Sequence, residues 1–414
     1  MTSDSFDDTE LGQLREHGIV LFAKRVIFDA RPPMPADQIA AVQAVCAGPL
    51  PPELLALWRQ TAGGRIDYDL HLRMNGCEEA VSWTELFWNG SDTAQTLRGW
   101  IAHELEGAAQ APREGAWDGK LVSLPIGGFE DSDRIYAVVE PGADHGHILA
   151  WKQGLPQPWV HAMHEDGMTT LAADLCAAFD VLHLDEDPLE AIGDYFTGQA
   201  LLEYLDERHE AHGLSLELMD RLIAFYRRAM VDWRTPLADG TLGGDGPLSR
   251  IALRHAIATD DAALIDRLAA VDVALDGPLL GSAIATDLAV SHGAHAAAAA
   301  LVHAGAPVAP DALDAIDSAL SPDLAAMLLA HGAQPSATAI AECVACGAPA
   351  AARLIAEAYA QAHDDLPAAY AAVRDDLLAE LEGALADVRT GEVSHYLGAD
   401  ELAHRIDHLQ TFSL

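Results

Sequence analysis

The densest group of side chains able to ligate a metal is Asp144-His145-Gly146-His147 together with His161, His164, Glu165 and Asp166. A transition-metal hydrolase needs three such ligands converging, with one position left open. No His-Glu-x-x-His helix accompanies them, and Gly142 and Gly146 belong to turns, so they are read as polar loop residues and no metal or other cofactor is expected. A metal-dependent enzyme built on His145 and His147 is the alternative from another class. Cys343-Val-Ala-Cys346 has redox or zinc spacing but neither a second pair nor a preceding strand, and it is read as helix packing. Gly240-Thr-Leu-Gly-Gly-Asp-Gly246 has no lysine to reach a phosphate. No Gly-x-Ser-x-Gly elbow supplies a nucleophile. Paired acids such as Glu78-Glu79 or Asp131 and Asp133 are expected on solvated faces of so acidic a chain. No catalytic residue is expected.

Around these residues the amino-terminal half reads as mixed α and β. Gly18 to Ala30 is strand-like, a helix begins at Pro35, and Glu53 to Thr61 sets Leu54, Leu57 and Trp58 on one helical face that Gly63-Gly64 ends. Segments from Lys120, Arg134 and His147 read as an antiparallel meander, followed by a closing helix from Thr169 to Leu184. The order of Leu50-Pro51, a helix, Gly63-Gly64, Leu124-Pro125-Ile126-Gly127 and the helix with Leu171 and Phe179 resembles the SUKH superfamily over roughly residues 35–187. That resemblance implies an α+β domain without an active site, in bacteria often an immunity protein that blocks a cognate toxin.

The rest divides into a helical connector (188–237), a Gly-rich linker (238–247), helical repeats (248–363) and a helical cap (364–414). Marker leucines Leu268, Leu301, Leu328 and Leu354 recur in units of two short helices closed by small residues, as in a solenoid. The closures Leu301-Val-His-Ala-Gly305-Ala306 and Leu328-Leu-Ala-His-Gly332-Ala333 are similar to ankyrin repeats. The expected fold is therefore an α+β amino-terminal domain followed by an all-α solenoid.

The chain has 414 residues and a formal net charge of −40, from 64 acidic and 24 basic side chains. Such charge repels phosphate, which excludes nucleic acid and anionic membranes as partners and favours a basic protein. Only three lysines occur in an alanine-rich chain, so compositional bias accounts for part of the imbalance. Five cysteines and an acidic amino terminus point to a reducing, cytoplasmic setting. Seven of the eight tryptophans precede residue 160, which suits a sheet packed on helices before the alanine-rich helices begin. The expected partner surface comprises Glu78, Glu79, Trp83, Trp88, Glu130, Asp131 and Asp133: carboxylates to imitate phosphates and indoles to anchor. Joined to the SUKH resemblance, this gives a non-enzymatic immunity protein that occludes a basic toxin, a nuclease or nucleic-acid-modifying domain. A regulatory protein-interaction scaffold is the alternative.

Overall fold

The computed structural model describes residues 6–74, 76–90, 96–110, 117–129, 132–153, 168–191, 196–390 and 397–414. The chain divides into two units, Met1–Val231 and Asp232–Leu414.

The first unit is built on a six-stranded antiparallel sheet ordered β10-β9-β8-β7-β6-β3. Its strands are β3 (Gly64–Arg65), β6 (Glu85–Leu86), β7 (Ser123–Phe129), β8 (Asp133–Val138), β9 (Ile148–Lys152) and β10 (Met168–Ala172). The expected meander is β7-β8-β9, in register through Gly127↔Ile135 and Ile135↔Ala150. Ile135, Ala137, Ile148 and Ala150 face the main core, while Tyr136, Val138, Leu149 and Trp151 are buried on the opposite face. Helix α1 (Asp8–Glu16) precedes a hairpin of β1 (Val20–Phe22) and β2 (Arg25–Ile27), and α2 (Ala36–Val45) and α3 (Pro52–Trp58) follow it. The strand expected over 18–30 is thus two strands. Ala23 and Lys24, both at positive φ, turn the chain between them. Gly63 and Gly64 do not cap α3, which ends at Trp58. A Cβ on Gly63 would lie 2.5 Å from the Leu86 carbonyl, so glycine is there for close approach.

Hairpin β4 (His71–Met74)/β5 (Cys77–Ala80) and helix α4 (Leu97–Gln110) complete the sheet's surroundings. The helix expected from Thr169 is instead β10, then α5 (Leu175–Val181), then an extended stretch. The Asp174 side chain accepts from the Ala177 N–H and starts α5 only there.

Helices α6 (Gln199–His212) and α7 (Leu216–Tyr226) are no connector. Leu201, Leu205, Leu218, Leu222, Phe225 and Tyr226 belong to the same core cluster as Phe28 and Trp83. Tyr204 donates to the His17 carbonyl at 2.8 Å, and Tyr226 packs at a tilt against Tyr68 with ring centres 4.8 Å apart.

The second unit is mainly helical: α8 (Arg234–Ala238), α9 (Pro247–Ala258), α10 (Ala262–Ala270), a small β11/β12 hairpin (Pro278–Leu280, Ala283–Ile284), α11 (Ala285–Ser291), α12 (His295–His303), α13 (Pro322–Ala330), α14 (Ala337–Ala345), α15 (Pro349–Ala362), α16 (Leu366–Thr390) and α17 (Ala399–Thr411). The Gly-rich segment expected as a linker lies inside this unit. Leu242 is buried, Ser249 donates to its carbonyl, and the Gly244 N–H donates to the Asp272 carbonyl at 2.8 Å.

The repeats are built on one cap. After α9, α11 and α14, a left-handed residue (Asp260, Gly293, Gly347) is followed by an N–H that reaches back to the carbonyl of Ala256, Ala289 or Cys343. After α10, α12 and α13, Asp272, Gly305 and Gly332 do the same, and the accepting carbonyls belong to the marker leucines Leu268, Leu301 and Leu328. In the fourth unit the position eight residues past the left-handed Gly347 is Ile355, fully buried, and not the expected Leu354. The third unit also departs from two helices. Residues 310–321, running from Pro310 to the start of α13 at Pro322, are turns and irregular chain that still bury Ala312, Leu313 and Ile316.

Candidate functional site

In the second unit α14, α16, α17 and residues 314–317 enclose a cleft of about 500 Å³. Its floor is apolar because α16 repeats Leu377, Leu381, Ala384 and Val388 at spacings of four, three and four, one helical face. The same helix places Glu380 and Asp387 beside that stripe, while Asp314, Asp317 and Glu342 line the rest of the wall. The one cation lining the cleft is Arg405 of α17. Its guanidinium donates to Asp317 Oδ1 at 3.0 Å, to the Asp317 carbonyl at 2.8 Å and to Glu401 Oε1 at 3.2 Å, so its charge is already engaged. Burial, with Asp317, Glu380 and Asp314 nearby, pushes the Glu342 carboxyl up to about 7 despite the opposing pull of Arg405. Carboxylates around an apolar floor suit a lysine or arginine side chain, whose methylenes pack while the cationic head pairs.

The residues expected to meet a partner fall in the first unit, and the structure separates them into different roles. Trp83 is 1% exposed and packs edge-on against Phe179 with ring centres 5.3 Å apart, so it anchors the core and cannot reach a partner. Asp133, 3% exposed, opens β8 and accepts from the Ser82 N–H at 2.7 Å, and burial raises its carboxyl. Trp88 is half-buried beneath the Arg31 guanidinium, 4.3 Å from its ring centre. Glu78 and Glu79 are half-buried on β5, facing Arg73 and Leu72 across the hairpin, and Glu79 pairs with Lys152 at 3.3 Å. Glu130 and Asp131 lie outside the described residues, as do His161, His164, Glu165 and Asp166.

His145 Nε2 sits 2.7 Å from the Pro49 carbonyl oxygen, and His147 Nδ1 is 3.7 Å from Asp144. Among the described residues, the group that brings three ligand atoms together is elsewhere, at His71, His183 and Asp185. Burial pushes the Cys343 thiol up to about 12 and the Cys346 thiol up to about 11, as expected of thiols packed in a helix interior.

The cleft escaped the sequence reading although its stripe was legible. Leu377, Leu381, Ala384 and Val388 with Glu380 and Asp387 show helical spacing, but only the fold brings Asp314, Asp317 and Glu342 to the same place. Among the described residues no helix is long and apolar enough to cross a membrane. No family model, no curated protein and no solved structure matches the chain.

Proposed function

We propose that this chain is a non-enzymatic immunity protein that binds a basic toxin domain and neutralises it by occlusion. The observation that carries the reading is the carboxylate-walled, apolar-floored cleft of the second unit, in a chain of net charge −40. Such a cleft takes a basic side chain of the partner, and the field of the whole molecule speeds the encounter. A SUKH-like first unit and an ankyrin-like second unit fit the same role. The first is supported by the order of Leu-Pro, helix, Gly-Gly and antiparallel sheet. The second is supported by caps at Asp272, Gly305 and Gly332, 33 and 27 residues apart. The partner contact moves from the expected Trp83 and Asp133 to the cleft, with Glu78 as a subsidiary charge.

Co-expression with the protein of the neighbouring reading frame tests this. Growth is rescued and an equimolar complex elutes as one species. Its affinity falls as salt rises, and Glu380→Gln with Asp387→Asn weakens it about tenfold or more. Rescue without a complex, or an affinity indifferent to both salt and those substitutions, overturns the proposal.

A further inference from the structure

Two tripeptides of the first unit mirror one another: Asp69-Leu70-His71 and His183-Leu184-Asp185. They meet as antiparallel extended segments through the bridge Asp69↔His183, closed by N–H···O contacts of 2.8 and 3.1 Å. In extended chain, side chains two apart share a face. Leu70 and Leu184 are both buried in the core, so the two aspartates and two histidines take the other side. There His71 Nε2 lies 3.0 Å from Asp185 Oδ2, and His183 Nε2 lies 3.1 Å from Asp185 Oδ1.

We propose that His71, His183 and Asp185 form a binding site for a divalent transition-metal ion of the zinc class. The ligand types are those such ions take, two imidazole nitrogens and a carboxylate. The placement allows it, since one ligand atom from each of the three residues lies within 4.8 Å of the other two. His183 is oriented as a metal-bound histidine is: its Nδ1 is 2.9 Å from the Val181 carbonyl oxygen, and donation there leaves the Nε2 lone pair facing the site. Asp69 supplies the outer layer. It accepts from the Asp185 N–H at 2.8 Å and from the Thr197 hydroxyl at 2.7 Å, holding the ligand segment in place. The three ligand side chains are 14%, 17% and 19% exposed, so water can complete the coordination. A bound ion ties β4, at the base of the Glu78–Glu79 hairpin, to the chain leaving α5. The site is independent of the proposed toxin binding and of the His145/His147 group.

The test uses the full chain stripped with a chelator and titrated with Zn²⁺ against a chromophoric competitor. One equivalent binds saturably, and excess Zn²⁺ at about a hundred times Kd raises the thermal midpoint by roughly 5–10 °C. His71→Gln and Asp185→Asn each weaken binding tenfold or more, whereas the His145→Ala/His147→Ala double variant retains it. Because the first two substitutions could unfold the unit, the wild-type chain is also modified with diethyl pyrocarbonate, and Zn²⁺ protects His71 and His183. No saturable binding overturns the proposal. So does one-equivalent binding that survives both ligand substitutions or leaves those two histidines unprotected.

Discussion

At the scale of single residues, the first unit holds a charge pair where charge is expensive. Glu104 of α4 accepts from Arg134 Nη1 at 3.1 Å and from the Tyr136 hydroxyl at 2.8 Å, and all three groups are buried. The Arg134 guanidinium lies 4.0 Å from the Trp100 ring centre and 5.0 Å from that of Trp151, so indole faces replace the water it lost. Deleting one partner strands the other. Arg134→Met is expected to cost about 3–5 kcal/mol in urea unfolding at pH 8. Tyr136→Phe, which leaves the ion pair intact, is expected to cost about 1 kcal/mol. Burial already raises Glu104 above its ordinary value, and the stranded carboxyl of Arg134→Met rises further. A group raised in the folded state takes up a proton more readily there, so the loss shrinks as pH falls toward 5. An Arg134→Met loss below 1 kcal/mol at pH 8 would show that α4 is held by packing alone.

At the scale of elements, the recurring cap explains both what the sequence disclosed and where it went quiet. Glycine occupies the left-handed position in four of the six caps, while Asp260 and Asp272 adopt it at φ 49° and 61°. Those two pay backbone strain and also set a negative charge at the carbonyl end of a helix. Asp272→Gly is therefore expected to raise stability by about 0.5–1 kcal/mol in urea or thermal unfolding. Asp260→Gly gains less, because Asp260 Oδ1 accepts from the Ala297 N–H at 2.8 Å. Equal gains, or a loss at Asp272, would count against strain as the reason. The leucine period was legible because each of Leu268, Leu301 and Leu328 supplies the carbonyl that closes its cap. Leu354 misled because α15 runs on to Ala362 with no such cap to fix the register. Likewise α6 and α7 show an apolar face, but periodicity says only that a face is buried, not against what. The Gly-rich run from Asp239 resembled a tether because composition does not reveal that Leu242 and Gly244 dock on α9 and the end of α10. His71 and His183 are hard to read for a similar reason: each stands alone in sequence, and the helical pattern from Thr169 to Leu184 covers His183 although α5 ends at Val181. The mirrored Asp-Leu-His and His-Leu-Asp triplets were the available clue, and pairing between distant segments gives them their meaning.

At the scale of the whole molecule, charge sets the response to solvent. Among the described residues, burial raises the carboxyls of Asp67, Asp69, Glu104, Asp133, Asp287 and Glu342, while hydrogen bonds lower those of Glu10 and Asp232. A raised carboxyl binds its proton more tightly when folded, so its ionisation costs stability as pH climbs from the unfolded value toward the folded one. For Glu342 that window runs from 4.5 to about 7. Self-repulsion from a net charge of −40 adds a further penalty that grows with ionisation and that salt screens. Thermal unfolding is accordingly expected at a higher temperature at pH 6 than at pH 8, with part of the difference recovered at pH 8 in 0.5 M NaCl. Glu342→Gln removes one buried ionisation without altering shape, and it is expected to stabilise the protein at pH 8 by about 1 kcal/mol, after discounting for solvent screening at a partly exposed site. The gain builds up between 4.5 and about 7, so at pH 6 it is roughly half to two-thirds of its pH 8 value, and the variant and the parent converge only as pH falls below 4.5. A thermal midpoint that rises from pH 6 to pH 8, or a Glu342→Gln gain equal at both, would mean that the cleft's carboxylates are already compensated and that its negative field is not available to a basic partner.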